Sequence, residues 1–390
     1  MILALVLHLI AFAPPSAPAF VVDTIADGER TGTIDRIDAA GAVHFRDPIA
    51  TIPAADVLSI QQHKMARPSY PVRSGVILAN GDRIGGEIIG GDETAVRLRA
   101  TAELRVPFGF VQVIWYTPIP GDLSAFPDRY PWLPAERKKD FVLLRNGDVQ
   151  IGDIERLGDG GSLKLLVNGK SIAFEASSIA AVALNPSLTV ARKPKGRTAR
   201  LVTANGSRFT LTAITADATT LRGTTVFGAK IEVPLGDVIA LDGMNPKAID
   251  LTELRPLSEK LQPFGEVTWP WATNRSAKDR PLRLKTADGI STFDRGFGTH
   301  PNAVRTYALD GKFRRFDTTI GLDPITGPRG SAVVRILVDG EVRESKTVSQ
   351  NAAHVRVDIT KAKRLTLEVD FGPGGDVRAD VNWANPRLVE

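Results

Sequence analysis

The sequence predicts an all-β protein in which several small β-modules precede a larger jelly-roll-like β-sandwich. The chain has 390 residues, which is too long for one typical hydrophobic core and favours several domains. It contains 35 Gly and 26 Pro, and long apolar runs of helical period are scarce. Asn-Gly and Asp-Gly pairs also recur between apolar stretches, which is typical of strands joined by tight turns.

The first 19 residues are predicted to be a signal peptide. An apolar run from Ile2 to Ala13 is followed by Pro and small residues ending in Ala17-Pro18-Ala19, which predicts cleavage after Ala19. This run is shorter than the roughly 20 residues that a helix needs to cross a bilayer. We therefore expect a secreted or periplasmic protein of the cell envelope without a stable membrane span.

Composition excludes several classes of function. The chain has no cysteine, so disulfides, thiolate nucleophiles and cysteine-ligated zinc are absent. The densest basic run, ARKPKGRTAR (191–200), contains no aromatic residue. Protein surfaces that bind nucleic acid usually interleave lysine and arginine with aromatic side chains. We therefore predict no nucleic-acid partner and interpret the run as a solvated linker.

Four similar units fill the first 245 residues. In each, an apolar strand runs into Asp-Gly or Asn-Gly, a second strand follows, and a short apolar segment closes the unit. The glycines at these turns can take the positive φ that a type I′ hairpin needs. The predicted β-modules are 20–66, 72–118, 140–188 and 199–245, with a Pro-rich linker at 119–139 that includes Trp132. The pattern resembles small SH3-like or Sm-like barrels, and spacer or docking units are the expected role.

From residue 251 to 390 the pattern changes to a longer series of short strands. Asp339-Gly340, in LVDGEV, lies between alternating apolar residues and predicts a hairpin. Strands and turns at this spacing favour a β-sandwich of jelly-roll type. The connector before it, 243–265, is expected to contain a helical turn with Thr252 as its N-cap.

Five ordered motifs in this region carry a resemblance to a known family. They are RGFGTH, YALDGKFRRFDTTIGLD, GSAVVRILVDGEVRES, RLTLEVD and DVNWANPRL. Their order resembles the NPCBM/NEW2 domain, also classed as carbohydrate-binding module family fifty-one. The resemblance implies a β-sandwich that recognises galactose-type sugars on glycans.

The resemblance also implies roles for single residues. Gly296, Gly298 and His300 match the glycine-histidine motif, Asp323 matches an acidic strand end, and Trp383 matches the tryptophan of the last motif. The family usually has Asp directly before that tryptophan. Here Asn382 occupies that position, with Asp380 two residues earlier, and the lost charge weakens the case for sugar binding.

A sugar site needs an apolar face and a few planar polar groups around it. The predicted carbohydrate-binding residues are Trp271, Arg295, His300, Asn382 and Trp383. Trp269 and Trp271 are two apart and would share a side of a strand, while Pro270 places them at an edge. Each tryptophan could instead fill the core, with Trp271 the most exposed candidate because its neighbours are polar. His300 could likewise be a hydrogen-bonded residue that fixes the turn.

Catalysis and metal binding receive little support from the sequence. The five histidines are scattered, no nucleophile or zinc motif is present, and no pair of carboxylates stands out for glycoside hydrolysis. We predict a non-catalytic protein with a glycan or polysaccharide as partner and no cofactor, while a structural calcium stays open. The alternative is a structural component of the cell envelope that binds envelope proteins and no sugar.

Overall fold

A computed structural model describes residues 17–26, 28–117, 125–191, 194, 196–262, 269–327, 329–375 and 377–390. Most of the predicted signal peptide lies outside these ranges. The predicted cleavage point after Ala19 falls one residue inside the first strand, which begins at Ala19. Within the described parts, regular structure consists of strands and single 3₁₀ turns, which confirms the all-β prediction.

Four groups of strands form the small modules. Module 1 contains β1 Ala19–Thr24, β2 Glu29–Ile37, β3 Val43–Asp47, β4 Ile49–Ile52 and β5 Val57–Gln62. Module 2 contains β6 Gly75–Leu78, β7 Arg83–Gly85, β8 Glu87–Gly91, β9 Ala95–Arg99, β10 Glu103–Pro107 and β11 Val111–Trp115. Module 3 contains β12 Asp140–Leu144, β13 Val149–Leu157, β14 Leu163–Val167, β15 Lys170–Phe174 and β16 Ile179–Ala183. Module 4 contains β17 Ala199–Thr203, β18 Arg208–Ala216, β19 Thr220–Thr225, β20 Lys230–Pro234 and β21 Val238–Asp242.

Each module has the strand arrangement of an SH3-like barrel. The last strand returns to pair with the first, as β5 does with β1 and β16 with β12. The second strand in modules 1, 3 and 4 is nine residues long, and its pairing with the third strand shifts register partway along. Such a bulge bends a strand so that it can serve both sides of a small barrel. In modules 2, 3 and 4 a 3₁₀ turn leads into the last strand, at Phe108–Phe110, Ala176–Ser178 and Leu235–Asp237.

The turn type predicted for the modules is wrong, although the positive φ of the glycines is confirmed. Gly81, Gly147 and Gly206 have φ between +86° and +93°, while the asparagine before each does not have a positive φ. The loops close through three residues, as in the bond from the Leu78 amide to the Asp82 carbonyl. This geometry is a type I turn followed by a left-handed glycine. At Asp339-Gly340 both residues have positive φ, at +51° and +92°, as a type I′ turn requires.

The modules associate through their last strands. In β5 and β21, Ile60 pairs with Leu241, which joins modules 1 and 4. In β11 and β16, Ile114 pairs with Val182, which joins modules 2 and 3. The linker packs on the second pair through Tyr130, whose hydroxyl accepts a hydrogen bond from Trp115 Nε1 at 3.2 Å. A continuous apolar core therefore runs through all four modules.

The C-terminal sandwich has two main sheets. Its strands are β22 Ala248–Asp250, β23 Ser258–Leu261, β24 Ala272–Thr273, β25 Leu282–Thr286, β26 Gly289–Phe293, β27 Gly296–Thr299, β28 Ala303–Ala308, β29 Arg315–Leu322, β30 Ala332–Val338, β31 Glu341–Val348, β32 Ala353–Asp358, β33 Arg364–Phe371 and β34 Val381–Val389. The first sheet has the order β24-β27-β34-β29-β32, with β22 also paired to β34. The second sheet has the order β23-β28-β33-β30-β31, and β25 and β26 form a separate hairpin.

The connector before the sandwich differs from its prediction. A 3₁₀ turn covers Leu251–Glu253, and its N-cap is Asp250, whose side chain accepts a hydrogen bond from the Thr252 amide. Thr252 therefore lies inside the turn. The stretch that follows forms β23, because its residues pair with β28 of the second sheet.

Candidate functional site

Three strand ends of the first sheet meet at one edge of the sandwich. Because β34 is antiparallel to both β27 and β29, its first residue, Val381, pairs with the last residues of those strands, Thr299 and Leu322. The residues just beyond these ends, His300, Asp323 and Asp380, therefore lie together. The Asp323 amide donates to the Asp380 carbonyl at 3.0 Å.

An aromatic ring and a lysine complete this group, which we call the strand-end site: Trp269, Lys278, His300, Asp323 and Asp380. The ring centroids of Trp269 and His300 are 6.0 Å apart and their planes are inclined by 31°. The Lys278 ammonium lies 5.8 Å from the Trp269 ring centroid and 3.0 Å from Asp380 Oδ2. Trp269 and His300 are half-buried, so their outer surfaces remain open to a ligand.

Buried acceptors form the floor of the strand-end site. Asp380 is 2% exposed, and its Oδ1 accepts no hydrogen bond from any residue that the structure describes. Asn382 is fully buried; its Nδ2 donates to the Arg283 carbonyl at 3.0 Å, while its Oδ1 has no donor among the described residues. A buried acceptor without a donor is costly, so this floor favours a ligand that brings hydrogen-bond donors.

Asp323 adds a second buried carboxylate. Burial raises the pKa of Asp323, and the nearby negative charge of Asp380 raises it further. The hydrogen bond that the Asp323 side chain accepts from the Ile325 amide lowers this pKa. Arg283 and Arg280 also oppose the rise through their positive charges. Two carboxylates held side by side are suited to accept hydrogen bonds from neighbouring hydroxyl groups.

The structure places Trp271 and Trp383 in the core of the sandwich. Trp383 is fully buried and Trp271 is 6% exposed, with ring centroids 6.5 Å apart. Neither ring can offer a face to a sugar in this structure, which corrects the predicted role of both. The prediction that Trp271 is the exposed ring is wrong because β24 covers only Ala272–Thr273. Trp269 lies outside that strand, so spacing by two does not put the rings on one side.

Arg295 lies away from His300, which corrects the prediction that the two share a site. It immediately precedes β27, whereas His300 follows that strand. Its guanidinium lies 3.8 Å from Asp250 and 3.6 Å from Glu253. Of the predicted sugar contacts, the structure brings only His300 and the buried Asn382 to the strand-end site.

Of the five residues of this site, the predicted sugar contacts included only His300. Trp269, Asp323 and Asp380 were noted in the sequence without being assigned as contacts, and Lys278 was not noted. Asp380 could be noticed in the sequence because it is the carboxylate two residues before Asn382. No comparable signal existed for Lys278, since its partner Asp380 is 102 positions further along the chain.

Metal binding finds limited support. Within the described ranges, no three histidine, aspartate or glutamate side chains are grouped to hold an ion. Asp323, Asp380 and the Asn382 amide supply oxygen donors of the kind that calcium takes, but calcium prefers six to eight. In the same ranges, no helix is long and apolar enough to cross a membrane.

Comparison with known proteins places the sandwich in a family. The NPCBM/NEW2 domain profile matches residues 248–389. Among solved structures, CBM51 from Clostridium perfringens GH95 in complex with methyl-galactose is 23% identical, with 36% of this chain and 99% of that chain covered and a TM-score of 0.33. The CBM51-2 and INT domains of Clostridium perfringens ZmpB with GlcNAc are 21% identical, with 44% and 36% covered and a TM-score of 0.34.

A third similar structure contains two such modules. The tandem CBM51 modules of Sp3GH98, a family 98 glycoside hydrolase from Streptococcus pneumoniae, are 12% identical, with 65% of this chain and 89% of that chain covered and a TM-score of 0.33. The chain thus covers about a third of the ZmpB structure. No curated protein matches the chain. Residues 248–389 are an NPCBM/NEW2 domain, a family of carbohydrate-binding modules, carried behind four SH3-like modules.

Proposed function

We propose that this is an exported, non-catalytic carbohydrate-binding protein whose sandwich binds a galactose-type sugar at the strand-end site. The observation that carries the proposal is the buried Asp380 carboxylate, whose Oδ1 has no donor among the described residues. It lies under Lys278, which is paired with it, and beside the half-open Trp269 ring. The SH3-like modules act as a scaffold that presents the sandwich.

The chemistry of the strand-end site suits a sugar. The Trp269 ring provides a surface on which the C–H face of a pyranose can pack. Lys278 donates hydrogen bonds and Asp380 accepts them, so adjacent hydroxyls of one ring can be read by groups of opposite character. Asp380, which lies two residues before Asn382 and pairs with Lys278, supplies a carboxylate where Asn382 offers only an amide.

The test is a binding titration of the full chain with methyl-galactose and GlcNAc. We expect Trp269→Ala and Asp380→Asn each to weaken binding by about tenfold to a hundredfold, the effect of losing a hydrogen bond to a charged group or a stacking face. Matched controls are Trp132→Ala in the linker and Asp310→Asn on an exposed turn, which should bind as the wild type does. Unchanged binding in both site variants would overturn the proposed site.

A second candidate function is an envelope scaffold that binds protein and no sugar. Asn382 favours it, since the family usually has an aspartate there. Under this alternative, neither sugar binds the wild type, and the strand-end variants behave like the controls.

A further inference from the structure

A second polar cleft lies between module 1 and the outer face of the first sandwich sheet. It has a volume of about 480 Å³, within the range of ligand sites in proteins. Its walls come from β1 and β5 of module 1, from β29 and β34 of the sandwich, and from the hairpin β25–β26. We call it the junction cleft. It lies towards the other end of β29 and β34 from the strand-end site.

The floor of the junction cleft is a fixed network of ion pairs that joins the two domains. Asp23 of module 1 accepts hydrogen bonds from Arg356 at 2.9 Å and from Arg387. Asp317 of the sandwich accepts from Arg387 at 3.2 Å and from Arg315 at 3.0 Å. Side chains locked in this way lose little entropy when they bind a ligand.

Above this floor, further polar groups point to a ligand that both donates and accepts hydrogen bonds. Asn385 lines the cleft with φ of +47°, a conformation that asparagine adopts more readily than most residues, at the point where the pairing of β34 with β29 shifts register. Gln62 also lines it, and its buried Oε1 has no donor among the residues described. Thr319 and His354 form a hydrogen-bonded pair at 3.3 Å on the opposite wall.

The charges of the cleft favour a neutral ligand. Four carboxylates and three cationic side chains line it: Asp23, Glu29, Asp288, Asp317, Lys64, Arg67 and Arg387. Arg67 is already paired with Asp242 at 2.8 Å, as Arg387 is with Asp317. Arg356 and Arg315 of the floor pair with Asp23 and Asp317, so positive and negative charges around the cleft nearly balance, and hydroxyl groups can pair with either sign without burying a net charge.

We propose that the junction cleft binds a neutral, hydroxyl-rich ligand of the saccharide class, at a site that needs both module 1 and the sandwich. This second site is independent of the strand-end site. It makes module 1 part of the binding surface rather than a spacer alone.

The experiment uses the full chain and saturation-transfer NMR with galactose, GlcNAc and lactose, and with glucuronate as an anionic comparison. The strand-end site is first removed by Trp269→Ala with Asp380→Asn. We expect neutral sugars still to receive saturation in this background. Adding Thr319→Trp, which fills the cleft, should lower the remaining affinity at least tenfold. Thr366→Trp is the matched control, because it is a half-buried strand position on the second sheet.

Asn385→Gly provides a second test, since glycine keeps the positive φ while the amide is lost; it should also weaken the remaining binding. The cleft proposal fails if the strand-end variants lose all binding, which leaves the proposed function intact. It also fails if Thr319→Trp and Asn385→Gly have no effect, or if glucuronate binds more tightly than the neutral sugars. If the strand-end variants bind as the wild type does and Thr319→Trp abolishes binding, the proposed strand-end site is overturned and the junction-cleft proposal is supported. Absence of saturation for every probe in the wild type overturns both.

Discussion

Removal of the Asp294 carboxylate should destabilise the junction between the modules and the sandwich. Asp294 follows β26, and its carboxylate oxygens lie 3.1 and 3.3 Å from Nε of Arg208 in module 4. The Arg208 side chain is fully buried and the Asp294 side chain is 8% exposed. Arg208 also donates to the Gly206 and Pro68 carbonyls, each at 2.7 Å.

The size of the effect follows from that burial. Asp294→Ala leaves the Arg208 guanidinium buried without its counter-ion, and loss of one partner of a buried pair costs about 3–5 kcal/mol. Losing about 3–5 kcal/mol of unfolding free energy lowers the Tm by roughly 10 °C for a domain of about 150–250 residues. Scanning calorimetry of the full chain measures it, with Asp288→Ala in the same hairpin as the control, because Asp288 is exposed. A Tm for Asp294→Ala within about 1 °C of the control would refute the buried-pair reasoning.

Three further predictions concern pH and packing. Burial opposes ionisation of Asp294, but the charges of Arg208, Arg200 and Arg83 outweigh it and hold the pKa of Asp294 below its usual value. The ionised Asp294 carboxylate therefore stabilises the folded protein above about pH 4, and this stabilisation is lost as the pH falls through the folded-state pKa. Urea titrations from pH 6 to pH 2.5 should show this loss in the wild type and a flatter profile in Asp294→Ala. Trp383→Ala should destabilise the sandwich by about 3–5 kcal/mol in urea unfolding, whereas Trp269→Ala should change stability by under about 1 kcal/mol; equal losses would contradict the assigned core and surface roles. Gly296→Ala should reduce soluble yield and Tm. Gly296 has φ of +147°, and an added Cβ would lie 2.0 Å from the Trp383 carbonyl oxygen. An unchanged Tm would show that β27 and β34 can separate at this point.

Local sequence patterns predicted the parts of the fold that depend on neighbouring residues. The Asn-Gly pairs located the module hairpins because glycine tolerates positive φ at low cost. Asp339-Gly340 located its hairpin for the same reason. In the modules the turn type was wrong, since one dipeptide is compatible with both two-residue and three-residue loops.

Contacts between distant residues could not be predicted. Asp23 and Arg387, which join module 1 to the last strand, are 364 positions apart, and no local pattern pairs them. The roles of Trp269 and Trp271 were exchanged for a related reason: side-chain alternation holds only inside a strand, and β24 begins after both residues. His300 was identified because its motif is contiguous, but its neighbour Lys278 required the fold.

The central claim is that the sandwich binds a galactose-type sugar at the strand-end site. A crystal structure of the full chain with methyl-galactose tests it most directly. We expect the sugar to pack on the Trp269 ring, with a hydroxyl within hydrogen-bond distance of Asp380 Oδ1. A sugar bound only elsewhere, or a strand-end site that holds none at saturating concentration, would contradict it.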